Sequence, residues 1–123
     1  MPSGPRRILV AEDEAITSMM IEDVLQGLGC TVVGPAGRLR EALRLAAEGE
    51  LDGAVLDVNL NGEPIYPVAE ALAARRVPFV FLTGYGAAGL DAAHAHRRVL
   101  QKPFRAADLS RLLSAEFHLA LPG

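Results

Sequence analysis

The chain has 123 residues, 50% of them hydrophobic, which suffices for one ordinary single-core domain and is too short for two. A formal net charge of -3 and a pI near 5.6 argue against a general nucleic-acid binder, and the Arg6-Arg7, Arg75-Arg76 and Arg97-Arg98 pairs are dispersed and read as solvated surface. A lone Cys30 can form no internal disulfide, and no amino-terminal apolar leader or span of membrane length is evident, so the expected compartment is the cytoplasm, with no membrane partner.

In chain order, the first apolar run is ILVA at 8 to 11. A helical stripe of Ile21, Val24, Leu25 and Leu28 follows and stops at Gly29, a residue suited to the position just past a helix. Cys30 then leads into TVVG at 31 to 34 and is expected to be a small buried thiol. Leu39, Ala42, Leu43 and Ala46 form a second stripe, AVLD at 54 to 57 a third apolar run. Pro67 opens a helix carrying Ala69, Leu72 and Ala73, where its missing N–H costs little. FVFL at 79 to 82 and VLQ at 99 to 101 complete five strands, and Leu109, Leu112 and Leu113 mark the last helix. Strands alternating with helices imply βαβ units and a parallel sheet, and the near-continuous hydrophobicity implies strands covered on both faces. The connection from Gly84 to His96 differs. GYGAAGLDAAHAH has three glycines and one large aliphatic residue, Leu90, and each glycine costs a helix interior about 0.8 to 1 kcal/mol relative to alanine. It is predicted to be the least ordered segment.

Polar groups occupy matching addresses along this pattern. Glu12 and Asp13 follow ILVA, Asp57 closes GAVLD, Thr83 follows FVFL and Lys102 follows VLQ. Lys102 is the only lysine, against eleven arginines. If the strands are parallel, all these groups lie along one edge of the sheet, where open α/β sheets place their sites. Neighbouring carboxylates are costly unless a divalent cation offsets them or one is protonated, and a few hard oxygen ligands with room for water and phosphate suit Mg²⁺. An aspartate can also attack phosphorus to give an acyl phosphate, with an ammonium, a hydroxyl and backbone N–H groups holding the transferred oxygens. Singly, each feature has an ordinary explanation: the acidic pair could complement a helix dipole, and Asp57 could be a turn residue. Their joint occurrence at four strand ends favours a site.

Together, ILVAEDE, AVLD, FLTG and VLQKPF resemble the receiver domain of two-component response regulators over nearly the whole chain. The resemblance implies an α/β flavodoxin-like fold, a doubly wound five-stranded parallel sheet of order 2-1-3-4-5, as in the chemotaxis receiver, and a single receiver domain over 1–123 without an output domain. It implies that Asp57 is the phosphoacceptor, and that Glu12, Asp13 and Asp57 with the main-chain carbonyl of Asn59 hold Mg²⁺. Thr83 would be the switch hydroxyl and Lys102 the ion-pair partner, with the N–H groups of Val58 and Gly84 contacting phosphoryl oxygens. Lys102-Pro103 would be cis. Such a protein is a signalling phosphoacceptor that assists its own phosphorylation and dephosphorylation, not an enzyme, and acts as a monomer or a phosphorylation-dependent dimer.

EPIYPVAEALAARRVPFVFLTGYG is further similar to the single-domain FATGUY receivers, with Leu82 in place of the signature alanine. That likeness implies a sensor histidine kinase of the HWE or a related type as partner. Mainstream receivers carry an aromatic switch three residues before the lysine, where this chain has Val99, and Tyr85 is a candidate substitute. His94, His96 and His118 have no metal-ligand spacing, and Tyr66 and Phe104 are expected to pack. A haloacid-dehalogenase-type phosphatase uses similar groups, but its nucleophile is normally followed two residues later by an acid, where Asn59 stands. A flavin module would need a first loop that accepts phosphate, and this one is acidic.

Overall fold

The computed structural model describes residues 4–84 and 97–119. Tyr85, His94, His96 and the connection expected to be least ordered lie outside the described residues, apart from Gly84. The elements are β1 (Arg7–Ala11), α1 (Ala15–Gly27), β2 (Thr31–Ala36), α2 (Leu39–Glu48), β3 (Gly53–Asp57), β4 (Asn59–Leu60), β5 (Glu63–Pro64), α3 (Tyr66–Ala74), β6 (Phe79–Thr83), β7 (Val99–Gln101) and α4 (Ala106–Glu116). β2-β1-β3-β6-β7 form one sheet, every pairing parallel, and β4 and β5 form a separate antiparallel hairpin. With the hairpin set aside this is the flavodoxin-like order 2-1-3-4-5.

Alternation along the three central strands divides the interior in two, because successive side chains of a strand leave on opposite faces. Leu9, Ala11, Ala54, Leu56, Phe79 and Phe81 pack under Ala42 and Ala46 of α2 and Val68, Ala69 and Leu72 of α3. Ile8, Val10, Val55, Val80 and Leu82 pack under Ile21 and Leu25 of α1 and Leu109, Leu113 and the adjacent Phe117 at the end of α4. β3 and β6 are buried throughout, while β2 and β7 are part-exposed. Full coverage thus holds for the central strands and not for the edges. Tyr66 and Phe104 do pack, on opposite faces, and Cys30 is buried, which pushes its thiol pKa up.

A bulge shapes the edge beside the site. Leu9 pairs with Val33 but Ala11 pairs with Ala36, so β2 carries one extra residue. Gly34 sits there at φ +101°, where an added Cβ would lie 2.8 Å from the Ala36 nitrogen and 3.0 Å from the Val10 carbonyl. The detour carries the Ala36 carbonyl to the Glu12 N–H, 3.0 Å away, and steadies the chain as it leaves β1.

The arginine pairs are not all solvated. Arg75 donates to the Ala46 and Gly49 carbonyls at the end of α2, and Arg6 donates to the Phe117 carbonyl at the end of α4, 2.7 Å away. Helix C-termini leave carbonyls unpaired, and the guanidinium fork supplies several donors at once. Arg97 lies over the Phe79 ring, 4.5 Å from its centroid. Among the described residues no helix is long and apolar enough to cross a membrane.

Candidate functional site

The carboxyl ends of β1, β3, β6 and β7 bring Glu12, Asp57, Thr83 and Lys102 to one edge of the sheet. Glu12, Asp57 and Thr83 are buried, although each is polar or charged. The Lys102 ammonium lies 3.0 Å from Asp57 Oδ2, 2.9 Å from Glu12 Oε1 and 2.9 Å from Glu14 Oε1. The contact to Glu12 has ion-pair distance without hydrogen-bond direction, and Glu12 Oε1 is left as a buried oxygen with no directed partner. Asp13, on the exposed side, completes the group: one ligand oxygen each from Glu12, Asp13 and Asp57 lies within 4.8 Å of the others.

Electrostatics follow from that crowding. Burial pushes the Glu12 carboxyl up to about 7; the Lys102 ammonium and the Glu14 N–H pull it down, and the Asp57 charge raises it further. For Lys102 burial disfavours the charge, but Glu12, Glu14 and Asp57 outweigh it and hold the ammonium above its ordinary range. One ammonium therefore cannot balance the carboxylates around it. Glu12, Asp13 and Asp57 each offer an oxygen to one small space, and Glu12 Oε1 accepts no directed hydrogen bond; this is the donor set a small hard dication takes, so the residues fit Mg²⁺.

The segment after Asp57 folds back as the β4–β5 hairpin. Asn61 at φ +52° and Gly62 at φ +87° form its tip, the two positive angles of a type I′ turn, for which Asn-Gly is the preferred pair. The Val58 carbonyl accepts the Ile65 N–H at 2.9 Å, so Asn59, one residue on, occupies the position that makes no cross-strand bond, and its partner Pro64 has no N–H. The Asn59 carbonyl is therefore not taken by the hairpin.

Backbone donors differ from expectation at one point. The Val58 N–H, expected to face a phosphoryl oxygen, is given to the Leu82 carbonyl at 2.9 Å, because Asp57 pairs with Leu82 and Val58 makes the last rung of that ladder. The amide directed at the Asp57 carboxylate is that of Asn59, 3.2 Å from Oδ1. Gly84 is exposed beyond Thr83, with open space where a Cβ would be. The Thr83 carbonyl accepts the Lys102 N–H at 2.8 Å, which ties β7 to β6 beside the site, and Lys102-Pro103 is cis. Val99 packs on the α2–α3 face.

Two participants were not read from sequence. Glu14, the third acid of AEDEA, reaches Lys102; its side chain makes no cap bond for α1, so a capping role would not have revealed it. The Asn61-Gly62 tip was missed although Asn-Gly after a strand is a strong hairpin signal.

A profile described as "Response regulator receiver domain" matches residues 8–114. This chain belongs to the response regulator receiver family. Over 111 residues the receiver is 37% identical to the Transcriptional regulatory protein PdtaR of Mycobacterium tuberculosis, covering 85% of this chain and 53% of that protein. It thus spans about half the length of that curated relative. Among solved structures, SdrG of Sphingomonas melonis is 45% identical with a TM-score of 0.80, covering 93% of this chain and 98% of that one. The receiver domain of a Pseudomonas aeruginosa sensor histidine kinase, described with a magnesium ion coordinated in its active-site cleft, is 28% identical with a TM-score of 0.79 and covers 94% and 99%. Receivers are signalling domains that pair with histidine kinases and hold Mg²⁺ in an acidic site, and the acidic cluster of this receiver stands at the carboxyl edge of its sheet.

Proposed function

We propose that this receiver takes a phosphoryl group from a histidine kinase onto Asp57 and thereby switches its contacts with other proteins. The observation that carries the reading is the Lys102 ammonium 3.0 Å from Asp57 Oδ2 within a ring of carboxylates. An Asp57 oxygen attacks phosphorus, the bond from phosphorus to the donor's imidazole nitrogen breaks, and the nitrogen keeps the electron pair. Lys102 then neutralises a phosphoryl oxygen, the Thr83 hydroxyl and the Gly84 N–H engage others, and the Asn59 N–H takes the part expected of Val58. Glu12, Asp13, Asp57 and the Asn59 carbonyl would hold Mg²⁺, which supplies charge neutralisation when bound. Dephosphorylation is hydrolysis: water attacks phosphorus, the bond from phosphorus to the Asp57 oxygen breaks, and the carboxylate and inorganic phosphate are released.

For the donor we favour a kinase of the HWE or a related type. A groove of about 330 Å³ lined by Ile16, Thr17, Met20, Pro103 and Phe104 opens beside Glu14 and Lys102, and Ile16 is 82% exposed at its rim. An apolar surface continuous with the phosphoacceptor suits the helix that presents a phosphohistidine. Incubation with acetyl phosphate and Mg²⁺ followed by intact-mass measurement is expected to add one acid-labile phosphoryl group to wild type and none to Asp57→Asn. Equal modification of both would overturn the assignment. Asp13→Ala is expected to weaken the Mg²⁺ dependence of this reaction, and an unchanged dependence would mean the metal is held elsewhere.

A further inference from the structure

We propose that the β4–β5 hairpin is a positioning device for Asp13, clamping one oxygen of this carboxylate so that the other is presented to Mg²⁺; this rests on the receiver reading above. Asp13 stands exposed in the connection after β1, where nothing in its own strand fixes it. The Asn61 N–H, across the site, donates to Asp13 Oδ2 at 3.2 Å. That donor exists only because the chain turns back at Asn61-Gly62 with both φ values positive, which points the amide outward toward β1.

The tip is itself held at three points. Gly62 donates to Asn59 Oδ1 at 2.8 Å, so the Asn59 side chain braces the turn. The Asn59 N–H reaches Asp57 Oδ1, which ties the base of the hairpin to the phosphoacceptor. Leu60 and Ile65 are fully buried in the α2–α3 core and root both strands. A chain of short contacts thus runs from Asp57 through Asn59 and the turn to Asp13, fixing the separation of a carboxylate at the end of β3 and one in the connection after β1. Carboxylate ligands held by outer hydrogen bonds bind metal more tightly, and losing such a bond costs about 10- to 100-fold in affinity. Rigidity also selects among ions: Mg²⁺ demands near-octahedral geometry at short distance, whereas Ca²⁺ accepts an irregular and flexible shell.

Gly62→Val separates this role from packing. Nothing lies within 4 Å of a Cβ at Gly62, but its φ of +87° strains any β-branched residue, so the substitution disturbs the turn and not the core. Metal titration by calorimetry, with Mg²⁺ and Ca²⁺ in turn, is expected to show Mg²⁺ binding weakened about tenfold and Ca²⁺ binding weakened less. Gly62→Ala should follow in the same direction with a smaller effect and secures the test should the valine variant fold poorly. Unchanged Mg²⁺ affinity in both Gly62 variants, or equal weakening toward both ions, would overturn the proposal. Wild-type protein that binds neither ion and leaves Asp57 unmodified would instead overturn the proposed phosphoacceptor function, and the clamp with it.

Discussion

Glu12 is held in place by its main-chain bond to Ala36, and its side-chain Oε1 has the Lys102 ammonium at ion-pair distance but accepts no directed hydrogen bond. Because the metal-free protein binds the Glu12 proton more tightly than the unfolded chain does, the carboxyl contributes stability that is complete below about pH 4.5 and is lost as pH rises through about 7. Metal-free wild type should therefore melt at lower temperature at about pH 8 than at about pH 5.5, and Glu12→Gln should flatten that dependence; calorimetric scans at both pH values test it. Lys102 meets three carboxylates from different directions, which a compact ammonium can do and a planar guanidinium cannot. Lys102→Arg is expected to impair phosphorylation-dependent partner binding despite the conserved charge, and a variant with wild-type phosphorylation and binding would remove the lysine from the switch. The buried polar residues of this edge were legible in sequence because each ends an apolar run with a chemically distinct group. Which amide faces the phosphoacceptor was not, since the pairing of Asp57 with Leu82 decides whether Val58 or Asn59 points inward, and that register is a tertiary property.

Among the elements, three helices end alike. After α1, Gly29 donates to the Gln26 carbonyl and Cys30 to that of Leu25; after α3, Arg76 and Val77 do the same toward Ala73 and Leu72; after α4, Leu119 donates to Ser114. This closure needs a left-handed residue just past the helix, and Gly29 meets the need as its place in the stripe predicted. Arg76 and His118 meet it at φ +60° and +55° with side chains that disfavour it by about 1 to 2 kcal/mol. His118→Gly should thus stabilise the protein by about 1 kcal/mol in denaturant titration. Gly34→Ala should do the opposite, by about 1 to 3 kcal/mol, since its Cβ would meet main-chain atoms that cannot yield. Strand and helix positions were readable from periodicity, but the bulge that extends β2 through Pro35 and Ala36 was not, and neither were the two-residue strands of the hairpin, too short for any alternation to register.

At the scale of the molecule, the sheet order followed from resemblance and the division into two cores follows from the alternation itself. What composition concealed was the work of the arginines, because a count cannot distinguish a solvated guanidinium from one bridging helix ends. Substituting them by lysine would lose that bridging, and the chain keeps its single lysine for the one place where a point charge serves. The protein therefore carries one ε-amine, and that amine is a built-in reporter. Acylating reagents attack only the neutral form, and Lys102 is held charged with its side chain 17% exposed. In the native state its modification is expected to be far slower than in denaturant. A time course followed by peptide mass then acts as a clock for opening of the carboxyl edge alone. Lys102 labelling at the same rate in folded and unfolded protein would mean that the ammonium spends much of its time away from its three acids.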